Sequence, residues 1–247
     1  MKRGKKLYVG KANTLYEVLL DDGTVAEEFL EMEATDRISA GDGAVTGVVE
    51  GKGYANNLVS TILFERFGNA GIPTHYLSRG TTPTSKFVYK AKMIPLEVIV
   101  RNYSAGSFCR RYGCKEGIKF EPEIVEMTFK DDKLHDPLIV EDAVVALKIA
   151  DTYAVEGIRH YARRINEVAK EFFAELGLTL IDFKVEFGIA EGHGLVLADE
   201  FSQDTCRLHD ANGKSVDKDI FRKGGATGEV SEVYNKLAKM LQEQQSY

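Results

Sequence analysis

The stretch Leu180-Ile181-Asp182-Phe183-Lys184-Val185-Glu186-Phe187-Gly188 alternates apolar and charged side chains. As a strand, whose side chains point alternately to opposite faces, it places Ile181, Phe183, Val185 and Phe187 on one side and Asp182, Lys184 and Glu186 on the other. An acid, a base and an acid on one rigid face can hold a hydrated cation and the phosphates it carries. Mg²⁺ takes one or two carboxylates plus phosphate oxygens, and a lysine adds a point charge beside them. The same residues also fit a half-buried strand with a solvated charged face.

The residues that follow bear on this choice. Ile189 to Gly194 reads as a turn, and Leu195-Val196-Leu197-Ala198-Asp199-Glu200 as a returning strand. Strict alternation lets either Asp199 or Glu200 share a face with Glu186, but not both. Two carboxylates from neighbouring strands make a candidate metal site.

At 247 residues, with 44% hydrophobic and 28% charged residues, the chain has the composition of an ordinary globular protein of one large or two small domains. No apolar run approaches the ~20 residues of a membrane helix, and Leu7-Tyr8-Val9 is too short for a signal-peptide core. A net charge of −6 argues against general nucleic-acid binding, which needs a basic surface. Cys109, Cys114 and Cys206 lack metal-ligand spacing and read as free thiols of a reducing cytoplasm, each a small buried hydrophobe.

Strands dominate the first half: a hairpin around Gly10-Lys11, a turn at Asp21-Asp22-Gly23, a strand from Val25 to Met32, and strands at Thr74 to Leu77 and Phe87 to Lys92. One helix, Asn56 to Phe67, interrupts them. The second half is mixed, with a strand from Ile94 to Arg101 and a short helix after Ser107. Helices are predicted over 142–150 and 152–176, the latter with Ile158, Tyr161, Ile165, Val168, Phe172 and Leu176 on one face, and over a last segment capped by Ser231. The change of character near Met93 predicts a strand-rich lobe over 1–93, a mixed lobe over 94–247, and a ligand cleft between them.

Several segments carry candidate chemistry. Gly10-Lys11 lacks Walker A spacing, yet a hairpin tip of this composition suits closure over phosphates as well as a plain turn. Asp36 to Gly43 reads as a polar loop, either a connection or a ligand contact. In Ile94 to Ser107, an apolar strand ends in Arg101 and a small-residue turn delivers Ser107 to a helix start, where free N–H groups and a guanidinium favour an anion. Asp204 and Arg207 follow the acidic hairpin, and the lone His209 reads as structural. No Ser/His/Asp set stands out, which favours ATP-dependent chemistry over hydrolysis.

Together these segments closely resemble the phosphoribosylaminoimidazole-succinocarboxamide synthase (SAICAR synthetase) family, from Leu7-Tyr8-x-Gly10-Lys11-Ala12 to Asp217-Lys218-Asp219-x-Phe221-Arg222. Ile94 to Ser107 and Ile181 to Gly188 are its most specific blocks. Asp36 to Asp42, Gly71 to His75, His135-Asp136-Pro137 and Leu197 to Ser202 support them. The resemblance implies a two-lobed α+β fold with a kinase-like ATP cleft. It implies a ligase of purine biosynthesis that joins L-aspartate to the carboxylate of carboxyaminoimidazole ribotide at the expense of ATP. By similarity, Gly10, Lys11 and Ala12 cover the ATP phosphates, and Ala91, Lys92 and Met93 border adenine. Glu186 and Asp199 hold Mg²⁺, with catalytic Lys184 near the phosphates. Arg101, Ser107 and Arg207 take the ribotide phosphate, Asp182 acts at the imidazole end, and Asp36 and Ser39 line the substrate side. The resemblance further implies a cytoplasmic enzyme, often a homodimer, whose partners are small molecules, with no nucleic acid or membrane among them. Asn13 replaces a frequent second lysine, Gln203 a frequent proline whose loss is expected to loosen its loop, and His209 a usual tryptophan.

Overall fold

The computed structural model describes residues 1–40 and 44–245. Its strands are β1 (Lys2–Val9), β2 (Asn13–Leu19), β3 (Val25–Ala34), β4 (Arg37–Ala40), β5 (Val45–Val48), β6 (Tyr76–Arg79), β7 (Ser85–Tyr89), β8 (Ala91–Met93), β9 (Leu96–Tyr103), β10 (Lys119–Phe129), β11 (Thr179–Ala190), β12 (Gly194–Ala198) and β13 (Cys206–His209). Its helices are α1 (Lys52–Asn69), α2 (Ser107–Tyr112), α3 (Glu141–Ala146), α4 (Thr152–Glu175), α5 (Asp219–Arg222) and α6 (Thr227–Gln245), with a 3-10 turn at Asp132–Leu134.

β11 organises the second half. β9 and β13 flank its first part, where Asp182 stands opposite both Arg101 and Arg207; β12 and β8 flank its last part, where Glu186 stands opposite Ala198 and Gly188 opposite Met93. The resulting sheet has six strands, and a five-stranded sheet of order β1-β2-β3-β7-β6 forms most of the first half. β11 is buried along most of its length on both faces. Asp182 and Glu186 are each only 3% exposed, so the charged face is not the solvated one the sequence also allowed.

The apolar face follows the predicted alternation with one break. Phe183, Val185 and Phe187 enter the main core, but there Leu180 takes the place expected of Ile181. The β11–β13 register shifts between Leu180 and Asp182, and such an irregularity re-aims side chains. Ile158, Ile165 and Phe172 of α4 and Leu176 just after it pack in the same core, with Tyr161 and Val168 at its margin. Asp151 caps α4 by accepting from Ala154 N at 2.8 Å. Each fully buried phenylalanine here, such as Phe64, Phe172 and Phe183, contributes about 1.5–3 kcal/mol. The large core does not stop at residue 93: Ile38, Val49 and the buried face of α1 belong to it, while Val18, Ala26 and Phe87 form a small cluster in the first sheet.

Four local expectations change. α1 starts at Lys52, before the predicted Asn56. The helix expected over 142–150 ends at Ala146, and Lys148 then takes a left-handed φ of 57°. Ser231 lies inside α6 rather than capping it, and donates to Glu50 O at 2.7 Å. Cys206 is buried as expected, but Cys109 and Cys114 are partly exposed. Among the described residues no helix is long and apolar enough to cross a membrane.

Candidate functional site

A cavity of about 580 Å³ lies between the β1–β2 hairpin and the charged face of β11. Gly10, Lys11 and Ala12 of the hairpin, Ser39 of β4, Arg101, Ser107, Asp182, Lys184, Glu186, Asp199 and Arg207 all line it. At its mouth Lys11 Nζ reaches Asp132 Oδ1 at 3.4 Å, an exposed pair joining the hairpin tip to the 3-10 turn.

One end of the cavity is an arginine cradle. Asp182 Oδ2 accepts from Arg101 Nη1 at 2.8 Å and from Arg207 Nη1 at 2.9 Å. Arg101 Nε also donates to Glu126 at 2.6 Å, Arg101 Nη2 to Ser107 Oγ at 3.2 Å, and Arg207 Nε to Asp219 at 3.0 Å. Asp182, expected at the imidazole end, instead lies between the two guanidiniums and orients them, and guanidiniums so held can bind an anion. Burial would lower the Arg207 pKa, but Asp182 and Asp219 outweigh it and hold it raised. Gly106 is essential to this end: its φ is 55°, and a Cβ there would lie 2.5 Å from Arg207 Nη2.

The other end, four residues along β11, is a lysine–carboxylate cluster. Lys130 Nζ donates to both oxygens of Glu186 at 2.6 and 2.7 Å, and Lys184 Nζ to Glu186 at 2.8 Å and Glu97 at 3.0 Å. Desolvation would raise Glu186, but Lys184 and Lys130 hold it below the ordinary carboxylate range. Desolvation would likewise lower Lys184, and Glu186 and Glu97 hold it raised. Asp199 behaves oppositely: burial, then the charges of Glu186 and Glu200, push it up to about 7. A cation placed between Glu186 and Asp199 relieves that repulsion. Among the described residues no three His, Cys, Asp or Glu side chains are grouped to hold a metal ion. Glu186 and Asp199 would offer a cation two carboxylates, and its remaining oxygen ligands would have to come from elsewhere.

Alternation allowed only one of Asp199 and Glu200 beside Glu186, yet both line the cavity. β12 ends at Ala198 and Asp199 takes a φ of 60°, so the two-residue period no longer applies. Asp36 is absent from the lining. Its oxygens accept from Gly53 N at 2.8 Å and Gly51 N at 3.2 Å, satisfying N–H groups at the start of α1. Ala91, Lys92 and Met93 pair with Ala190, Ile189 and Gly188 and also lie outside the lining. Of the expected loop at Asp36 to Gly43, Arg37–Ala40 instead form strand β4, paired with β5, and Gly41, Asp42 and Gly43 lie outside the described residues. Gln203, expected to loosen its loop, is fully buried and donates to Val216 O at 2.9 Å. Asn13 lines the cavity, and His209, the last residue of β13, pairs with Thr179 of β11.

The sequence reading did not single out Glu97, Lys130, Lys218 or Arg222, all of which line the cavity. Glu97 was within reach of pattern, because Glu97, Ile99 and Arg101 alternate with buried Val98 and Val100. Lys130 follows the end of β10 and gives no local signal of where it points.

The family model described as SAICAR synthetase matches residues 6–241. A phosphoribosylaminoimidazole-succinocarboxamide synthase of Streptococcus pneumoniae is 44% identical over 237 residues, covering 96% of this chain and 97% of the relative. The crystal structure of the enzyme of that name from Ehrlichia chaffeensis superposes with a TM-score of 0.88 at 33% identity, covering 96% and 98% of the two chains. A SAICAR synthetase in complex with ADP superposes at 0.85 with 37% identity, covering 95% and 96%. Near-complete coverage in both directions, on the fold that builds this cavity, places the chain in the SAICAR synthetase family.

Proposed function

We propose that the chain is an ATP-dependent ligase joining L-aspartate to the carboxylate of carboxyaminoimidazole ribotide, with release of ADP and phosphate. One observation carries this reading: the arginine cradle at Asp182 and the lysine–carboxylate cluster at Glu186 share one face of one strand beneath the Gly10–Ala12 hairpin. Four strand residues separate them by roughly 13 Å, a span suited to a ribose phosphate carrying a carboxylated five-membered ring.

A carboxylate resists attack by an amine because oxide would have to leave. Transfer of the γ-phosphoryl group makes an acyl phosphate, from which the aspartate amine displaces phosphate. Catalysis of this kind is chiefly positioning and charge neutralisation. Arg101 and Arg207, steadied by Asp182, hold the 5′-phosphate with Ser107, and Ser39 lines the same side. Lys184 and Lys130, both on Glu186, stand where the transferring phosphoryl group gathers negative charge. Gly10, Lys11 and Ala12 close over the nucleotide and exclude water, with Ala91 to Met93 toward the adenine. Glu186 and Asp199 are the residues that would hold Mg²⁺, which would supply charge neutralisation to the nucleotide phosphates. In this reading residues 1–93 serve chiefly the nucleotide and 94–247 the ribotide and metal, in a cytoplasmic homodimer with small-molecule partners.

The test is ADP release with each substrate omitted in turn. Release should require ATP, Mg²⁺, ribotide and L-aspartate together. Undiminished release without aspartate would instead mark a kinase, and no release with any combination a nucleotide-binding module.

A further inference from the structure

Arg111 lies in the last turn of α2, and its Nη2 donates to Glu126 Oε1 at 2.5 Å. The other oxygen of Glu126 accepts from Arg101 Nε at 2.6 Å. Glu126 reaches Arg101 because Arg101 stands opposite Ile124 in the β9–β10 ladder, and Glu126, two residues on, shares the face of Ile124. The Glu126 side chain is 8% exposed and that of Arg111 30%, and neither residue lines the cavity.

The contact extends an ion-pair chain through the cradle. Asp182 bridges Arg101 and Arg207, and Asp219 bridges Arg207 and Arg222. Guanidinium and carboxylate thus alternate from Arg111 to Arg222. Arg101 touches two carboxylates, whose joint charge would exceed its own. It remains attractive to an anion because each carboxylate is shared with a further guanidinium, Asp182 with Arg207 and Glu126 with Arg111.

We propose that Arg111, from outside the cavity, is a positioning residue for the phosphate end of the ribotide, acting through Glu126 to aim Arg101 and keep the cradle cationic. The proposal rests on the ribotide reading of the cradle. Without Arg111, Glu126 keeps only Arg101 as an ion-pair partner among the described residues. Its full charge then falls on the arginine that meets the substrate and draws that guanidinium away from the phosphate. The other ties of Arg101 remain, to Asp182, to Ser107 and to the Phe108 ring, whose centroid lies 5.7 Å from Arg101 Cζ. Binding is therefore weakened and not abolished.

Titration of ribose 5-phosphate into the full-length chain reads the effect without turnover. Arg111→Gln should weaken binding about fivefold, a coupling of the size found within one ion-pair network. ATP affinity should stay unchanged, and in initial rates the KM for ribotide should rise while kcat holds. One hydrogen bond through Nη2 joins Arg111 to Glu126, so an ammonium can replace it, and Arg111→Lys should restore most of the loss. In a Glu126→Gln background the Arg111→Gln change should cost about twofold or less, because the carboxylate that transmits it is gone. Unchanged binding by Arg111→Gln, the same fall in both backgrounds, or an equal fall for ATP would overturn the proposal. An unsubstituted chain that ignores ribose 5-phosphate would overturn it together with the ribotide reading. The stated affinities in a chain that releases no ADP would support it and count against the ligase reading alone.

Discussion

Asp182 and Arg101 face each other across the β9–β11 ladder, joined by a 2.8 Å hydrogen bond with both side chains almost wholly buried. Arg207 binds the same carboxylate from β13 on the other flank. A central strand thus holds two guanidiniums at a fixed separation.

Asp182→Asn keeps the shape of the anchor and removes its charge. Arg101 and Arg207 then lose their common partner, and stability should fall by about 3 kcal/mol, as when one member of a buried pair is removed. The KM for ribotide should rise about tenfold or more, one charged hydrogen bond or two, with little change for ATP. Denaturant titration and initial rates check both. A rise shared equally by the two substrates contradicts the assignment of this end.

Glu186→Gln separates a metal ligand from a merely structural ion pair. A lost ligand should lower kcat on the order of 10²-fold and raise the Mg²⁺ requirement. Lys130 and Lys184 also lose their shared anion, so the ligand-free protein should lose about 1–2 kcal/mol. Rates measured across free Mg²⁺, beside thermal melts, decide it: destabilisation with near-normal turnover leaves only the structural role.

Gly106→Ala and Gly113→Ala form a matched pair, since both glycines have positive φ. At Gly113 a Cβ meets nothing within 4 Å, so the cost is backbone strain, about 1 kcal/mol. At Gly106 the Cβ also strikes Arg207. Only Gly106→Ala should weaken ribotide binding, a difference isothermal titration would read directly.

Acid stability should depend on Glu31. Burial would raise this carboxyl, but Arg3, Ser85 and Thr81 bind it and hold it down to about 2, from an ordinary 4.5. Because the folded-state pKa is depressed, its contribution is present above pH 4.5 and is lost as pH falls toward 2. The contribution is about 3 kcal/mol. Glu31→Gln should flatten stability between those pH values while lowering it at neutral pH. An unchanged pH slope in urea titrations contradicts this.

What was legible in the sequence was local. The alternation over residues 182–187 sorted charged from apolar side chains, because neighbouring residues of a strand must point to opposite faces. The helical stripe of α4, the hairpin at Gly10-Lys11 and the turn carrying Ser107 depend in the same way on residues a few positions apart. The same local rule failed at Asp199, where a positive φ ends the alternation, and at Ile181, where a register shift re-aims the strand.

The partners of those residues were a different matter. That Lys130 reaches Glu186, that Asp36 serves α1 instead of the cavity, and that Arg101 and Arg207 converge on Asp182 each join segments far apart in the chain. Backbone sterics act between neighbours and are written in short patterns. Strand register and the docking of loops follow from the packing of the whole core, and only the tertiary structure decides which distant charges meet.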